Sequence, residues 1–370
     1  MDNNSRFSYT PDGNIVPKKV FLRGLIEISN KCRKNCLYCG IRCGNCNVSR
    51  YELTDEQVIS EALFALRSGY GSVVLQGGER CDSEFVERIT RLVWEIKRLR
   101  PDNSTAGLDK NTGGNTTSLG ITLSLGEQSK EVYKEWFKAG AHRYLLRIEA
   151  SDRALYEKIH PHSTPQERQM HSYERRVGAL EDLKSSGYIT GSGVMIGLPF
   201  QTMDHLDRDL LFLKKFGVDM VGMGPYIPHN DTPLGKMVLK ARELNSTSVT
   251  LTDGERVDLG EFALISDEKK LQLSVEMVRR LRREMPHINI AATTALQVLH
   301  PDGREMAVLA GANVIMPNIT EQQARGNYQL YEGKPGVDDD AISTKMRLEQ
   351  NLAKIGVDIA WGQVGDPYRL

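Results

Sequence analysis

Three cysteines stand within eight residues, spaced Cys32-x3-Cys36-x2-Cys39, directly after the apolar run that begins at Ile26. Each spacer lets the next thiolate reach a different iron of a cubane 4Fe-4S cluster. Three corners are then held and the fourth iron has no protein ligand. An open iron is what a redox enzyme needs if a small molecule must bind the metal, by the logic that separates open catalytic zinc sites from closed structural ones. A zinc knuckle would need a fourth Cys or His in a second paired unit, and the segment holds no His. A disulfide framework does not suit a 370-residue chain with six cysteines, five of them between positions 32 and 46.

The spacing resembles that of the radical S-adenosylmethionine (SAM) superfamily. The resemblance implies that the open iron chelates the amino and carboxylate groups of SAM, and that an electron from the cluster cleaves the sulfonium to a 5'-deoxyadenosyl radical. A second register, Cys39-x3-Cys43-x2-Cys46, repeats the spacing and shares Cys39. Only the first register follows a strand and places an aromatic, Tyr38, before its last cysteine, so Cys32, Cys36 and Cys39 are taken as the ligands. Cys43 and Cys46 read as plain thiols beside the cluster, with a second metal as the alternative. Cys81, alone after a Gly-Gly-Glu turn, reads as structural.

The elements that must hold this loop alternate in type. Short apolar runs at 22–29, 72–76, 121–125, 143–148, 191–196, 220–223, 288–292 and 313–316, bounded mostly by Gly, Asn or Pro, have the character of strands buried on both faces. Amphipathic stretches lie between them, with helix starts at Thr54 and Ser129. Repeated β-then-α order predicts a single-domain (β/α)8 TIM barrel over residues 20–332, after a polar leader at 1–19 and before a C-terminal helix and tail at 333–370. Residues 101–118 are too poor in apolar side chains to bury anything and read as a surface loop, and 238–262 as a small hairpin insert.

Composition excludes several classes. Lys plus Arg and Asp plus Glu each number 48, giving a net charge of +0, and no basic run is interleaved with aromatics, so nucleic acid is not an expected partner. The start of the chain has no apolar targeting stretch and no run reaches membrane-spanning length, so no membrane partner is expected. A cytoplasmic protein of an anaerobic pathway suits the clustered reduced thiols.

In such barrels chemistry collects where strands end. Glu79 follows two glycines, where backbone approaches a ligand closely, and suits an ammonium; capping the next helix is its alternative role. Arg147 and Glu149 alternate on one strand and so face one way, fit to bind a zwitterion or to form a structural ion pair. Arg175 and Arg176 open the following helix as a further carboxylate clamp. Met220 and Met223 read as barrel core, His229 as a loop residue, and Tyr328 and Tyr331 as covers of the barrel mouth or interface aromatics.

Longer stretches narrow the resemblance to the HydE maturases of iron-iron hydrogenases, in the biotin synthase-like branch. They include Val74-Leu-Gln-Gly-Gly-Glu79, Thr122-Leu-Ser-Leu-Gly-Glu127, Arg143-Tyr-Leu-Leu-Arg-Ile-Glu149, His171-Ser-Tyr-Glu-Arg-Arg176, Ala291-Ala-Thr-Thr-Ala295 and Gly311-Ala-Asn-Val-Ile-Met-Pro-Asn318. This resemblance implies a SAM site lined by Tyr38, Glu79, Thr122, Arg147, Glu149, Arg176 and Met220. Thr122 would also face a substrate cavity bordered by Thr293, Thr294, Tyr328 and Tyr331. It implies action on a cysteine-ligated iron carbonyl cyanide precursor, toward the dithiomethylamine bridge of the hydrogenase cluster. Partners would be other hydrogenase maturation proteins and a reductant such as ferredoxin or flavodoxin. Positions 332–347 hold no cysteine, so the peripheral cluster of many family members has no ligands there. The alternative is a radical SAM enzyme of the biotin synthase or methylornithine synthase kind, acting on an organic amino acid or thioether.

Overall fold

The computed structural model describes residues 6–11, 13–100, 118–336 and 340–367. Eight parallel strands close on themselves: Lys19–Ser29, Ser72–Gly77, Gly120–Ser124, Arg143–Leu145, Ile189–Ser192, Met220–Pro225, Asn289–Ala292 and Val314–Ile315. The ring is completed where Val314 and Ile315 pair with Phe21 and Leu22 of the first strand. Each strand overlaps its predicted apolar run, the fifth only at Gly191 and Ser192 because it starts two residues early. They read as apolar runs because both faces are covered: the inner one by the barrel filling, the outer one by helices.

The helices begin where the sequence signals a start. Thr54 forms a reciprocal capping box with Gln57 at the head of Asp55–Arg67, and Thr202 forms one with His205 at the head of Met203–Phe216. Ser129 caps Lys130–Ala139 by accepting from the Val132 backbone N–H. Their inward faces bury Ile89, Val93, Tyr133, Trp136 and Leu213 against the strands.

Three regions add to the plain alternation. The leader folds as an antiparallel hairpin, Phe7–Tyr9 with Ile15–Pro17, and buries Phe7 beneath the Arg282 guanidinium, 4.6 Å from its ring centre. The stretch expected as a hairpin insert begins instead within a helix, Pro233–Glu243, and only then turns through the hairpin Ser248–Thr250 and Arg256–Asp258. Pro at the helix start and the Thr232 cap explain that helix. The loop expected at 101–118 lies outside the described residues, apart from Ser118. At the other end, Asp358–Ile359 pairs in parallel with Lys19 and Val20. The segment after it crosses the N-terminal ends of the strands, where Gly365 O accepts from Asn289 Nδ2 at 2.7 Å and Asp366 ion-pairs with Arg143. Among the described residues, this segment covers the bottom of the barrel.

Arg282 is buried and pins this lower region. Its guanidinium donates to the carbonyls of Gly311, Pro286 and Ile288 at 2.8–3.0 Å and to Asn313 Oδ1 at 3.0 Å. Burial pushes its pKa down to about 9. Replacing it removes the side-chain donor from the Gly311, Pro286 and Ile288 carbonyls, while Asn313 Oδ1 keeps the Ile290 N–H, so Arg282→Met should lower unfolding free energy by about 1–3 kcal/mol. Denaturant titration against wild type reads the loss.

Candidate active site

Residues 30–51 carry the cysteines across the barrel mouth with no helix or strand. A loop of that kind has many carbonyls to satisfy, and Arg50 takes four of them: Asn30 at 2.8 Å, Ile41 at 2.7 Å, Arg42 at 2.6 Å and Asn45 at 3.1 Å. Asn45 Nδ2 returns a bond to Gly40 O at 2.7 Å. The loop is stitched outward by Leu37 N to Ile159 O and by Gly40 N to Leu330 O. Gly40 is required: a Cβ there would stand 2.1 Å from Gln329 O.

Cys32, Cys36 and Cys39 line one cavity of about 350 Å³, while Cys43, Cys46 and Cys81 are exposed. Burial, and after it the neighbouring Cys32 thiolate, pushes the Cys36 thiol up to about 12. Burial lifts the Cys39 thiol well above its usual range, with Cys36 and Cys32 adding to it, and burial also raises Cys32. Three thiolates this close repel one another unless a multivalent cation joins them. Three sulfur donors line that side of the cavity, which suits a soft iron-sulfur centre. The Glu79 backbone N–H already points at Cys32 Sγ, 3.3 Å away.

Charge around the thiols is arranged to match. Glu127 is buried and accepts from three cations: Lys34 Nζ at 2.8 Å, Arg175 Nε at 2.9 Å and Arg176 Nε at 2.6 Å. Burial opposes its ionisation, but Arg176 and Lys34 outweigh that and hold the carboxyl down at about 2. Glu79 pairs with Arg33 at 2.8 Å through Oε1 and accepts the Glu127 backbone N–H at 2.8 Å through Oε2. Four cations thus face two carboxylates, and the surplus positive charge borders the thiols. The helix at Ser83–Arg98 is capped by Asp82, not by Glu79.

Arg147 and Glu149 do meet, at 3.0 Å, with Arg147 NH2 also donating to Val194 O at 2.8 Å. Strand alternation is not the reason, because the strand ends at Leu145. Glu149 sits at φ 66°, a left-handed conformation strained for a residue with a Cβ, and is held there by Glu149 N to Gly193 O and Met195 N to Glu149 O. Arg176 donates to the Arg147 carbonyl and so carries the strap on the Glu127 network. Burial raises the Glu149 carboxyl, with Arg147 and then Arg176 opposing.

Tyr38, Thr293, Thr294, Tyr328 and Tyr331 line the same cavity. The Thr293 hydroxyl donates to Met223 O at 3.0 Å, and Lys334 joins the Tyr328 carbonyl to Glu27. Thr122 and Met220, expected at the cofactor site, are elsewhere. Both line a separate void of about 10 Å³ beneath the cavity, with Met220 Sδ accepting from Arg23 at 3.0 Å. Met220 is the first residue of its strand and Thr122 the third of its own, so both stand on the lower side of the barrel. The partners that sequence reasoning left without a role are the buried Lys34 and Glu127 and the exposed Arg50. Gly126-Glu127 ends the third strand as Gly78-Glu79 follows the second, and that parallel was the available signal.

With this geometry in place the comparisons are specific. Residues 26–213 match the Radical SAM superfamily. The [FeFe] hydrogenase maturase subunit HydE of Thermotoga maritima is 40% identical over 354 residues, covering 94% of this chain and 84% of that protein. The chain belongs to the radical SAM superfamily and, within it, to the HydE family. It is a radical SAM enzyme. The 3-methylornithine synthase of Methanosarcina acetivorans is 24% identical over 84% of this chain and 73% of its own. The crystal structure of methylornithine synthase (PylB) shares the fold, with a TM-score of 0.65 at 23% identity, covering 93% of this chain and 85% of that one. Family membership implies a 4Fe-4S cluster and SAM, and the converging sulfurs fit such a cluster. No helix among the described residues is long and apolar enough to cross a membrane.

Glu127 supplies a test of the charge arrangement. Its depressed pKa contributes stability that is present above the ordinary value of 4.5 and lost as pH falls toward about 2. Glu127→Gln leaves the buried Lys34 and Arg176 short of an anion and should cost about 3–5 kcal/mol at neutral pH. The variant should also lose the part of the acid-unfolding profile between those two pH values, measured by circular dichroism against pH.

Proposed function

We propose that this enzyme holds a 4Fe-4S cluster on Cys32, Cys36 and Cys39 and SAM at its open iron, and serves assembly of the iron-iron hydrogenase cluster. One observation carries the reading. The three thiols, the Arg147–Glu149 pair and the Thr293–Tyr331 wall border a single cavity. A cluster held by Cys32, Cys36 and Cys39 would supply one electron to the sulfonium of SAM, breaking its C5'–S bond to leave methionine and a 5'-deoxyadenosyl radical. Arg147 offers a guanidinium to the carboxylate of SAM, and Glu149 accepts its ammonium or ribose hydroxyls. Glu79 borders the cavity with room for one further donor, since a carboxylate accepts about four hydrogen bonds. Tyr38 flanks the cluster and Arg176 buttresses the Arg147 backbone.

Thr293, Thr294, Tyr328 and Tyr331 would border the substrate. The 40% identity to a hydrogenase maturase supports a cysteine-ligated iron carbonyl cyanide precursor, on the way to the dithiomethylamine bridge. Other maturation proteins would supply and receive the intermediates, and a ferredoxin or flavodoxin would deliver the electron. The cytoplasm is the compartment that keeps such thiols reduced.

The experiment is anaerobic reconstitution, reduction, and assay of 5'-deoxyadenosine from SAM with and without the cysteine-bound iron carbonyl cyanide complex. Formation stimulated by the complex is expected. Cleavage indifferent to it would return the substrate to an organic amino acid or thioether. In the same assay, Cys36→Ala should lose the cluster absorbance and SAM cleavage together. Retained cleavage would overturn the ligand assignment.

A further inference from the structure

His171 opens one of the longer motifs, yet the site described above gives it no work. Its ring is buried, 4% exposed, between the short helix Pro165–Met170 and the helix Tyr173–Ser185. One of its ring nitrogens, one of His160 and Cys36 Sγ lie within 4.8 Å of one another. A thiolate with two imidazoles suggests a metal centre of its own, and the hydrogen bonds argue against that.

The Asn35 backbone N–H donates to His171 Nε2 at 3.2 Å. A nitrogen that accepts carries no proton, so the neutral ring is protonated at Nδ1. In His160 the order is reversed: Nδ1 bonds the Tyr156 carbonyl at 2.8 Å, leaving Nε2 as an acceptor 3.4 Å from the Tyr38 hydroxyl. His160 therefore has no proton to offer Cys36. Tyr38 reaches Cys36, but shares its proton with His160. His171 Nδ1 is left as a buried N–H with no partner among the described residues. Buried donors of that kind are rare because leaving them unpaired is costly.

We propose that the His171 Nδ1–H donates to the cluster at its Cys36 corner and makes the cluster easier to reduce. The inference rests on the reading of Cys36 as a cluster ligand. Reduction adds one electron to the cluster, with no bond broken and no proton moved. An N–H that donates to a cluster sulfur stabilises the added negative charge and raises the reduction potential. His171 is thus a positioning and tuning residue, acting through the cluster and touching neither SAM nor substrate.

Two replacements separate this role from a structural one. In His171→Asn the amide nitrogen stands where Nδ1 stood, keeping the donor and losing the acceptor for Asn35. In His171→Gln the amide overlies Nε2, keeping the Asn35 bond and losing the Nδ1 donor. Reconstituted full-length protein, without SAM, is titrated with dithionite and mediators and followed by electron paramagnetic resonance, with iron and sulfide counted in each sample. The Asn variant should keep the wild-type potential. The Gln variant should reduce at a more negative potential, by a tenfold change in the equilibrium or about 59 mV for one electron.

A fully loaded Gln variant with an unmoved potential overturns the inference and leaves the cluster reading intact. Equal shifts in both variants, or a Gln variant that fails to load while the Asn variant loads, assign His171 to holding the loop and overturn it as well. A wild-type protein that takes up no cluster overturns the reading and the inference with it.

Discussion

A polypeptide loop can close over the mouth of a barrel only if its backbone polar groups find partners, and here one guanidinium does much of that work. Arg50 gathers the carbonyls of Asn30, Ile41, Arg42 and Asn45, so residues far apart along the loop share one rigid centre. The cysteines gain fixed directions without belonging to a helix or strand. The bond from Gly40 N to Leu330 O then ties that centre to the segment bearing Tyr328 and Tyr331. A lysine could not replace Arg50, because an ammonium lacks the planar fork that reaches several carbonyls at once.

Electrostatics completes what the loop begins. Burying Lys34 and Arg176 around one carboxylate, with Arg175 at its exposed rim, leaves a positive surplus that is hard to justify in an isolated apoprotein. It becomes favourable when three thiolates ionise beside it. The same network reaches the strained Glu149 through Arg176 and the Arg147 carbonyl, so the groups flanking the thiols are mechanically linked to their charge balance.

Most of the barrel is legible in the sequence because strands buried on both faces write themselves as apolar runs, and helix caps as Thr or Ser followed by polar residues. The cysteine site is legible for a different reason: ligand spacing is local. What escaped is non-local or depends on depth along a strand. Thr122 and Met220 were assigned to the cofactor through resemblance, but strand position sends them to the lower void. Arg147 and Glu149 meet through a left-handed turn that periodicity does not foresee. Glu79 is a carboxylate next to glycines in sequence; that it bonds Arg33 and the Glu127 backbone depends on neighbours 46 and 48 positions away. The leader, polar by composition, still forms a hairpin because Phe7 and Val16 suffice to anchor it.

Ring closure has a kinetic side. The first strand finds its second neighbour only at Val314 and Ile315, nearly three hundred positions downstream, so no partial barrel can satisfy both of its edges. Chain entropy makes that junction one of the slowest contacts to form. Until it forms, the Lys19–Ser29 edge is open to any other extended chain. The cysteine loop begins one residue beyond that strand, so assembly of the metal site and protection against aggregation depend on the same late event.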